Sequence, residues 1–229
     1  SWGNPIQAHR NSSSDGFIAK LDSSGVLTWN TFLGSGGVDG IDLDVNKNIY
    51  LMGSSANDWS ISDIPLNSHG GNVDAFVTKM TPSGSLIWHT FLGGSAQDTA
   101  SEIVVGGDGN IYLAGTSYSS WGNPILPYNP SQFWKAFVAK LDLSGALVWN
   151  TFLGTGRDQG FDIAIDGNEN VYVVGVSSGT WGPPVRPFDD SLPFSSNAFA
   201  AKLNSAGSLI WNTFLGNDGD DGSGIGVDD

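Results

Sequence analysis

The stretch AFVAKLDLSGALVWNTFLG, residues 136–154, recurs four times and constrains everything else about the chain. The copies occupy residues 16–34, 75–93, 136–154 and 198–216. Their tryptophans, Trp29, Trp88, Trp149 and Trp211, are spaced by 59, 61 and 62 residues. A fixed period near sixty with this much identity is the mark of a repeat array, in which one unit cannot bury both faces of its strands alone.

Within a copy, Phe17, Ala19 and Leu21 point one way and Ile18 and Lys20 the other. Apolar residues on both faces predict a strand covered on both sides. Asp22-Ser23-Ser24-Gly25 and its counterparts at 81–84, 142–145 and 204–207 then read as hairpin turns. The first residue can accept from the backbone two positions on, and the glycine takes positive φ. The return strand is centred on Trp29. Burying one such ring removes ~200 Å² from water, an upper bound of roughly 5 kcal/mol.

A second hairpin follows. It holds Ile41, Leu43 and Val45, the turn Asn46-Lys47-Asn48 and a return strand to Gly53, with copies over 103–115 and 163–175. Two hairpins per period make a four-stranded unit. A long polar loop leads to the next copy, carrying SWGNPI at 1–6 and 120–125 and TWGPPV at 180–185. The 32 glycines and 14% charged residues suit many short strands joined by turns, and there is no long amphipathic run.

Four short antiparallel strands per unit predict an all-β fold, a β-propeller built from four ~60-residue repeats with four-stranded blades. The strings AFVAKLD, LVWNTFLG and NIYLAGTS resemble the bacterial SBBP β-propeller repeat along essentially the whole chain. That resemblance implies a propeller and, typically, an exported or surface protein; it implies no ligand. The hairpin from Leu141 to Trp149 is also similar to that of quinoprotein-type blades, whose tryptophan docks between blades.

Counted in blades, the chain reads as an outer hairpin at 15–34, blades at 39–93, 101–154 and 161–216, and an inner strand at 222–229. The closing blade is strand-incomplete. Three explanations stand: a piece of a longer array, a ring with an irregular closing blade, or completion by a neighbouring chain.

Net charge is −14, which disfavours nucleic acid and anionic membrane surfaces, and no run is long enough to span a bilayer. Cysteine is absent, so disulfides contribute nothing. The first residue falls inside a repeat, so the chain is expected to be a mature or excised piece, with any targeting segment removed. Acidity suits divalent cations.

In a propeller the Asp-rich loop entering each inner strand and the long tryptophan loop share one face. That face would carry Asp98, Asp158 and Asp220, with Gly36 in the first copy, beside Trp2, Trp59, Trp121 and Trp181. One reading is a glycan surface or a Ca²⁺ site. The plainer one is that each tryptophan packs its own loop and each aspartate caps backbone N–H groups. Asp218 to Asp221 is the densest acidic cluster, without a full calcium-loop pattern. Asp44, Asp166 and Asp228 suit turn chemistry. Lys20, Lys79, Lys140 and Lys202 suit paired lysines between blades. His9, His69 and His89 lack metal-ligand spacing, and no Ser/His/Asp grouping repeats. Asn11-Ser12-Ser13 fits a glycosylation acceptor.

The chain is therefore expected to be a non-catalytic propeller with no cofactor beyond a candidate Ca²⁺. Its expected role is that of a structural or adhesive module at the cell surface, self-associating or binding other surface proteins, with filaments formed by strand completion as one form. The alternative is a lectin-like module that uses the loop tryptophans.

Overall fold

The computed structural model describes residues 2–9, 15–59, 65–130, 133–191, 195–217 and 219–228. Asn11, Asp218 and Asp229 lie outside them. The described residues contain fourteen strands and no helix. The first sheet is the hairpin of β1 (Asp15–Leu21) and β2 (Leu27–Ser35). The second comprises β3 (Gly37–Leu43), β4 (Ile49–Ser55), β5 (Asp74–Met80) and β6 (Leu86–Leu92). The third comprises β7 (Asp98–Val105), β8 (Ile111–Ser117), β9 (Lys135–Leu141) and β10 (Leu147–Leu153). The fourth comprises β11 (Asp158–Ile165), β12 (Val171–Ser177), β13 (Asn197–Leu203) and β14 (Leu209–Leu215). Within each sheet the strands pair antiparallel in chain order, as propeller blades do.

The inner strands β7 and β11 begin about three residues before the sequence-derived boundaries at 101 and 161. A register shift, between Ala100 and Glu102 and between Gly160 and Asp162, lets pairing continue past the point where strict alternation breaks. A second shift sits beside each outer turn, as between Lys79 and Met80. Bulges of this kind bend a strand and increase its twist.

The turns are built as the sequence implies. Asp142 Oδ1 accepts the N–H groups of Ser144 and Ala146 at 2.8 and 3.1 Å, and Gly145 has φ +85°. Asp166 Oδ1 accepts those of Asn168 and Asn170, both at 2.9 Å, in the inner hairpin.

Apolar residues on both faces are explained by stacking of sheet on sheet. On β4, Ile49 and Leu51 face back into a cluster with Ile18 and Leu33 of the first sheet. Tyr50 and Met52 face forward into a cluster with Ile103 and Leu113 of the third. Tyr112 and Ala114 do the same against Ile163 and Val173 of the fourth. The hairpin tryptophans seal these boundaries. A Cβ added to Gly145 would lie 3.0 Å from Trp88, and one on Gly207 would lie 2.7 Å from Trp149. Each tryptophan thus packs beneath the turn glycine of the next sheet.

The inner strand expected over 222–229 forms no ladder within 222–228. Gly222 donates to the carbonyl of Gly175 at 3.2 Å, and Ile225 donates to Asp162 Oδ2 at 2.7 Å. This holds the segment beside the fourth sheet, but among the described residues no second strand pairs with it. Among the described residues no strand pairing joins the fourth sheet to β1 and β2, so the array is open.

Candidate functional site

The two loops expected on one face do lie together. The N–H of Tyr118 donates to the carbonyl of Gln97 at 3.0 Å, and that of Ser178 to Arg157 at 3.1 Å. What the face presents is set by how each loop is anchored.

Each long loop runs along the outer edge of its own sheet. In the third sheet, Ile125 donates to Asn150 at 2.9 Å and Phe152 to Leu126 at 3.1 Å. The first, second and fourth sheets repeat this with Ile6, Leu66 and Val185 donating to Asn30, His89 and Asn212. The loop therefore pairs with a strand edge that would otherwise be open. The side-chain amides of Asn30, Asn150 and Asn212 also donate to the carbonyls of Trp2, Trp121 and Trp181, at 2.9, 2.9 and 2.8 Å. The residue after each of these tryptophans is a glycine, and Gly122 has φ +64°, a conformation side chains rarely adopt.

Three of the four loop tryptophans are thereby buried. Trp59, Trp121 and Trp181 are 4%, 7% and 7% exposed. Trp121 sits edge-on to Phe137 and Phe152, with centroids 5.3 and 5.9 Å away, and Trp181 repeats this on Phe199 and Phe214. Trp59 does so on Phe76 and Phe91 and also stacks on His89. Rings held this way offer no open face to a sugar. Trp2 is half-exposed and meets Phe17 edge-on.

The aspartates are separated, one to a sheet boundary. Asp98 and Asp158 are fully buried. The hydroxyls of Ser117 and Ser177 donate to them, and Gly94 N–H donates to Asp98 Oδ2 at 2.8 Å. Burial pushes both carboxyls up to about 6, against the pull of these hydrogen bonds. Asp220 Oδ2 accepts from Asn217 N–H at 3.0 Å. Among the described residues no three His, Cys, Asp or Glu side chains converge as metal ligands, so Asp98, Asp158 and Asp220 do not share one site.

The first residues of three third-position strands lie at these places: Asp15 beside Gly36, Asp74 near Asp98 and Lys135 near Asp158. Main-chain bonds join the same places, with Asp98 N–H to Val73 at 2.7 Å, Asp158 to Trp134 at 3.2 Å and Gly219 to Ser196 at 2.9 Å. Lys135 Nζ lies 3.9 Å from Asp158, both fully buried. His9 and His69, which look unrelated in sequence, occupy matching positions. They lie edge-on to Phe32 and Phe91, where Tyr128 and Phe188 meet Phe152 and Phe214. They also approach Asp15 and Asp74, at 3.8 and 4.0 Å. The legible signal was an aromatic seven residues after Trp2, Trp121 and Trp181; a longer second loop breaks the spacing at His69.

The opposite face carries a lysine, a tyrosine and an acid for each four-stranded sheet. Lys202 Nζ lies 3.5 Å from Asp166 and over the Tyr172 ring, whose hydroxyl donates to Asp166 at 3.0 Å. Asp44, Tyr50 and Lys79 repeat this. Gly106 cannot, and Glu169 of the next sheet reaches back to Lys140 at 3.2 Å instead. These groups are paired at the sheet ends, as turn chemistry requires.

The two-stranded first sheet leaves apolar residues uncovered, its own on β1 and those of β3 in the second sheet. Ile41 is 56% exposed, while its counterparts Ile103 and Ile163 are each 2% exposed. Phe17 is 53% exposed, while Phe76 and Phe137 are fully buried. A cavity of about 500 Å³ opens beside β1, lined by Ile18, Leu21, Trp29, Ile41 and Leu43 among others.

The family model for the SBBP β-propeller repeat matches residues 149–180, spanning the second half of the third sheet's outer hairpin through the inner hairpin of the fourth. Residues 149–180 thus carry that β-propeller repeat, within an all-β array of stacked antiparallel sheets. The chain is 30% identical over 115 residues to an uncharacterized WD repeat-containing protein of Acanthamoeba polyphaga mimivirus, covering 46% of this chain and 8% of that protein. It is 28% identical over 178 residues to the regulatory protein FlaEY of Caulobacter vibrioides, covering 73% of this chain and 18% of that one. The chain thus spans less than a fifth of either curated relative. A crystal structure of a Bacteroides caccae protein of unknown function matches 90% of this chain and 57% of its own, with a TM-score of 0.46 and 13% identity.

Proposed function

We propose that the chain is a non-catalytic protein-interaction module of the bacterial cell surface, which assembles by strand completion at β1. The observation that supports this most is the uncovered flank of the first sheet. At the same repeat positions, apolar side chains are exposed there and buried elsewhere. The occupant that fits is an inner strand supplied by a second copy of the array, its 222–228 segment, which forms no ladder in its own chain. Its backbone would pair with the free edge of β1, and its apolar face would cover Ile41 and Leu43. The buried acids favour a non-catalytic role, because Asp98 and Asp158 sit sealed at sheet boundaries, bonded to the hydroxyls of Ser117 and Ser177. Export rests on the SBBP resemblance and is tested by protease shaving of intact cells.

Light scattering over a concentration series, with negative-stain images, tests the assembly. The expected result is concentration-dependent association that the doubly substituted Ile41→Asp, Leu43→Asp chain loses, since both side chains are exposed and the substitutions leave the fold intact. A one-chain mass at every concentration, or association indifferent to those substitutions, overturns strand completion.

A further inference from the structure

The boundaries between sheets carry the same backbone joints but different charges. At the boundary of the third and fourth sheets a cation is built in. Lys135 Nζ donates to the carbonyls of Phe133, Trp134 and Gly156 at 3.1, 3.4 and 2.5 Å and lies 3.9 Å from Asp158. An ammonium sealed from water is thus held by main-chain oxygens and one carboxylate.

One boundary earlier, Asp74 takes the place of Lys135. It pairs with Ser55 as Lys135 pairs with Ser117. Asp74 is 1% exposed, and its Oδ1 has no hydrogen-bond partner. An unpartnered carboxylate oxygen beside a second buried carboxylate is costly unless a positive charge lies between them. The surroundings are shaped for one. A Cβ on Gly71 would lie 2.6 Å from the carbonyl oxygens of both Gly94 and Ala96 and 3.1 Å from Asp74 Oδ1. A Cβ on Gly93 would lie 2.5 Å from Asp74 Oδ1 and 2.8 Å from Asp98 Oδ2. Asp74 Oδ1 thus lies between two carbonyls beside Gly71 and a second carboxylate beside Gly93, with no side chain on either glycine to part them.

We propose that this boundary, between the second and third sheets, binds one Ca²⁺-type hard divalent cation through Asp74, Asp98 and the carbonyls of Gly94 and Ala96. All four donors are oxygens, the set such cations take, and they are separated by glycine backbone that can adjust to the longer Ca²⁺ bonds. The ion does at this boundary what the Lys135 ammonium does at the next. It bridges two sheets, so binding and sheet docking are coupled.

The test uses the full chain stripped with EDTA and then titrated with CaCl₂, read by calorimetry and thermal unfolding. Tb³⁺ luminescence excited through tryptophan provides a second readout, since Trp121 lies close to Asp98. The expected result is one Ca²⁺ per chain and a Tm rise of roughly 5–10 °C at ~100-fold excess over Kd. Asp74→Asn should weaken binding at least ~10-fold, as loss of a charged ligand does. Asp74→Lys should restore the built-in ammonium, giving a chain whose Tm no longer responds to Ca²⁺ or EDTA. Should Asp74→Asn not fold, the response of Asp74→Lys and displacement of Tb³⁺ by Ca²⁺ on the unaltered chain still decide the matter. No heat, no Tm change and no Tb³⁺ signal on the unaltered chain overturns the proposal. So does Ca²⁺ binding that survives Asp74→Lys, which would place the ion elsewhere on this acidic surface.

Discussion

Replacing Trp121 with alanine separates a ring that packs a loop from a ring that meets a ligand. Trp121 is 7% exposed and contacts Phe137 and Phe152 edge-on. Its own carbonyl is fixed by Asn150 at 2.9 Å. Truncating a ring buried this way costs about 3–5 kcal/mol, including the cavity and the lost aromatic pairs. For a domain of this size each kcal/mol moves Tm by roughly 2–4 °C, so a fall of about 6–20 °C is expected. Trp2 is the control. It is 45% exposed with one edge contact, to Phe17, so Trp2→Ala should cost under ~1.5 kcal/mol. Circular dichroism melts of both variants at matched pH and salt make the comparison. Equal, small losses would refute the packing account and return the loop tryptophans to the surface as binding groups.

Further outcomes follow from the same geometry. Asp98 and Asp158 rise from 3.8 to about 6 through burial, so each binds a proton more readily folded than unfolded. Their stabilising effect is complete below pH ~4 and lost as pH climbs through about 6, on the order of 3 kcal/mol each. In EDTA, Tm should therefore fall between pH 4 and 7, and Asp98→Asn with Asp158→Asn should flatten that fall; a Tm that climbs steadily to pH 7 contradicts it. Asp44 is shifted the other way: burial opposes, but its bonds from Asn48 and Asn46 and the nearby Lys79 hold it low. Its stabilisation is present above pH ~4 and is lost as pH falls through its lowered folded value, so Asp44→Asn should lower Tm more at pH 7 than in strong acid. Gly122→Ala forces a side chain to φ +64° against Asn150 and should cost about 1–3 kcal/mol by urea melts.

Periodicity made the fold legible. Four copies of one hairpin and three of another dictate two-faced strands, and strands covered on both faces dictate stacked sheets. The tryptophans between sheets were legible for the same reason, since Trp88 and Trp149 recur at fixed distances from their turn glycines. The loop tryptophans were ambiguous because a ring that packs and a ring that binds look alike in sequence. What decided Trp59, Trp121 and Trp181 was the path of the chain back along the sheet edge, a long-range pairing no local pattern announces. Asp98 and Asp158 were found as a periodic set, but their partners were not. Asp74, Lys135 and Asn197 share a structural position and no chemistry, so periodicity hid them. His9 and His69 were obscured by loops of unequal length.

The unlike pairs at the boundaries bear on how such a chain finds its fold. Near-identical repeats invite a sheet to dock on the wrong neighbour, the usual failure of repeat proteins. The hydrophobic faces here offer little discrimination, because Phe76, Phe137 and Phe199 fill the same place in successive sheets. The boundary residues do discriminate. Asp15 finds space beside Gly36; set against Asp158 it would put a second negative charge where the Lys135 ammonium sits. Lys135 has its carbonyl cage only where the loop before Asp158 supplies Gly156. Order along the array is thus written in a few polar residues at the joints, and exchanging Asp15 with Lys135 should scramble assembly more than it lowers the stability of any one sheet.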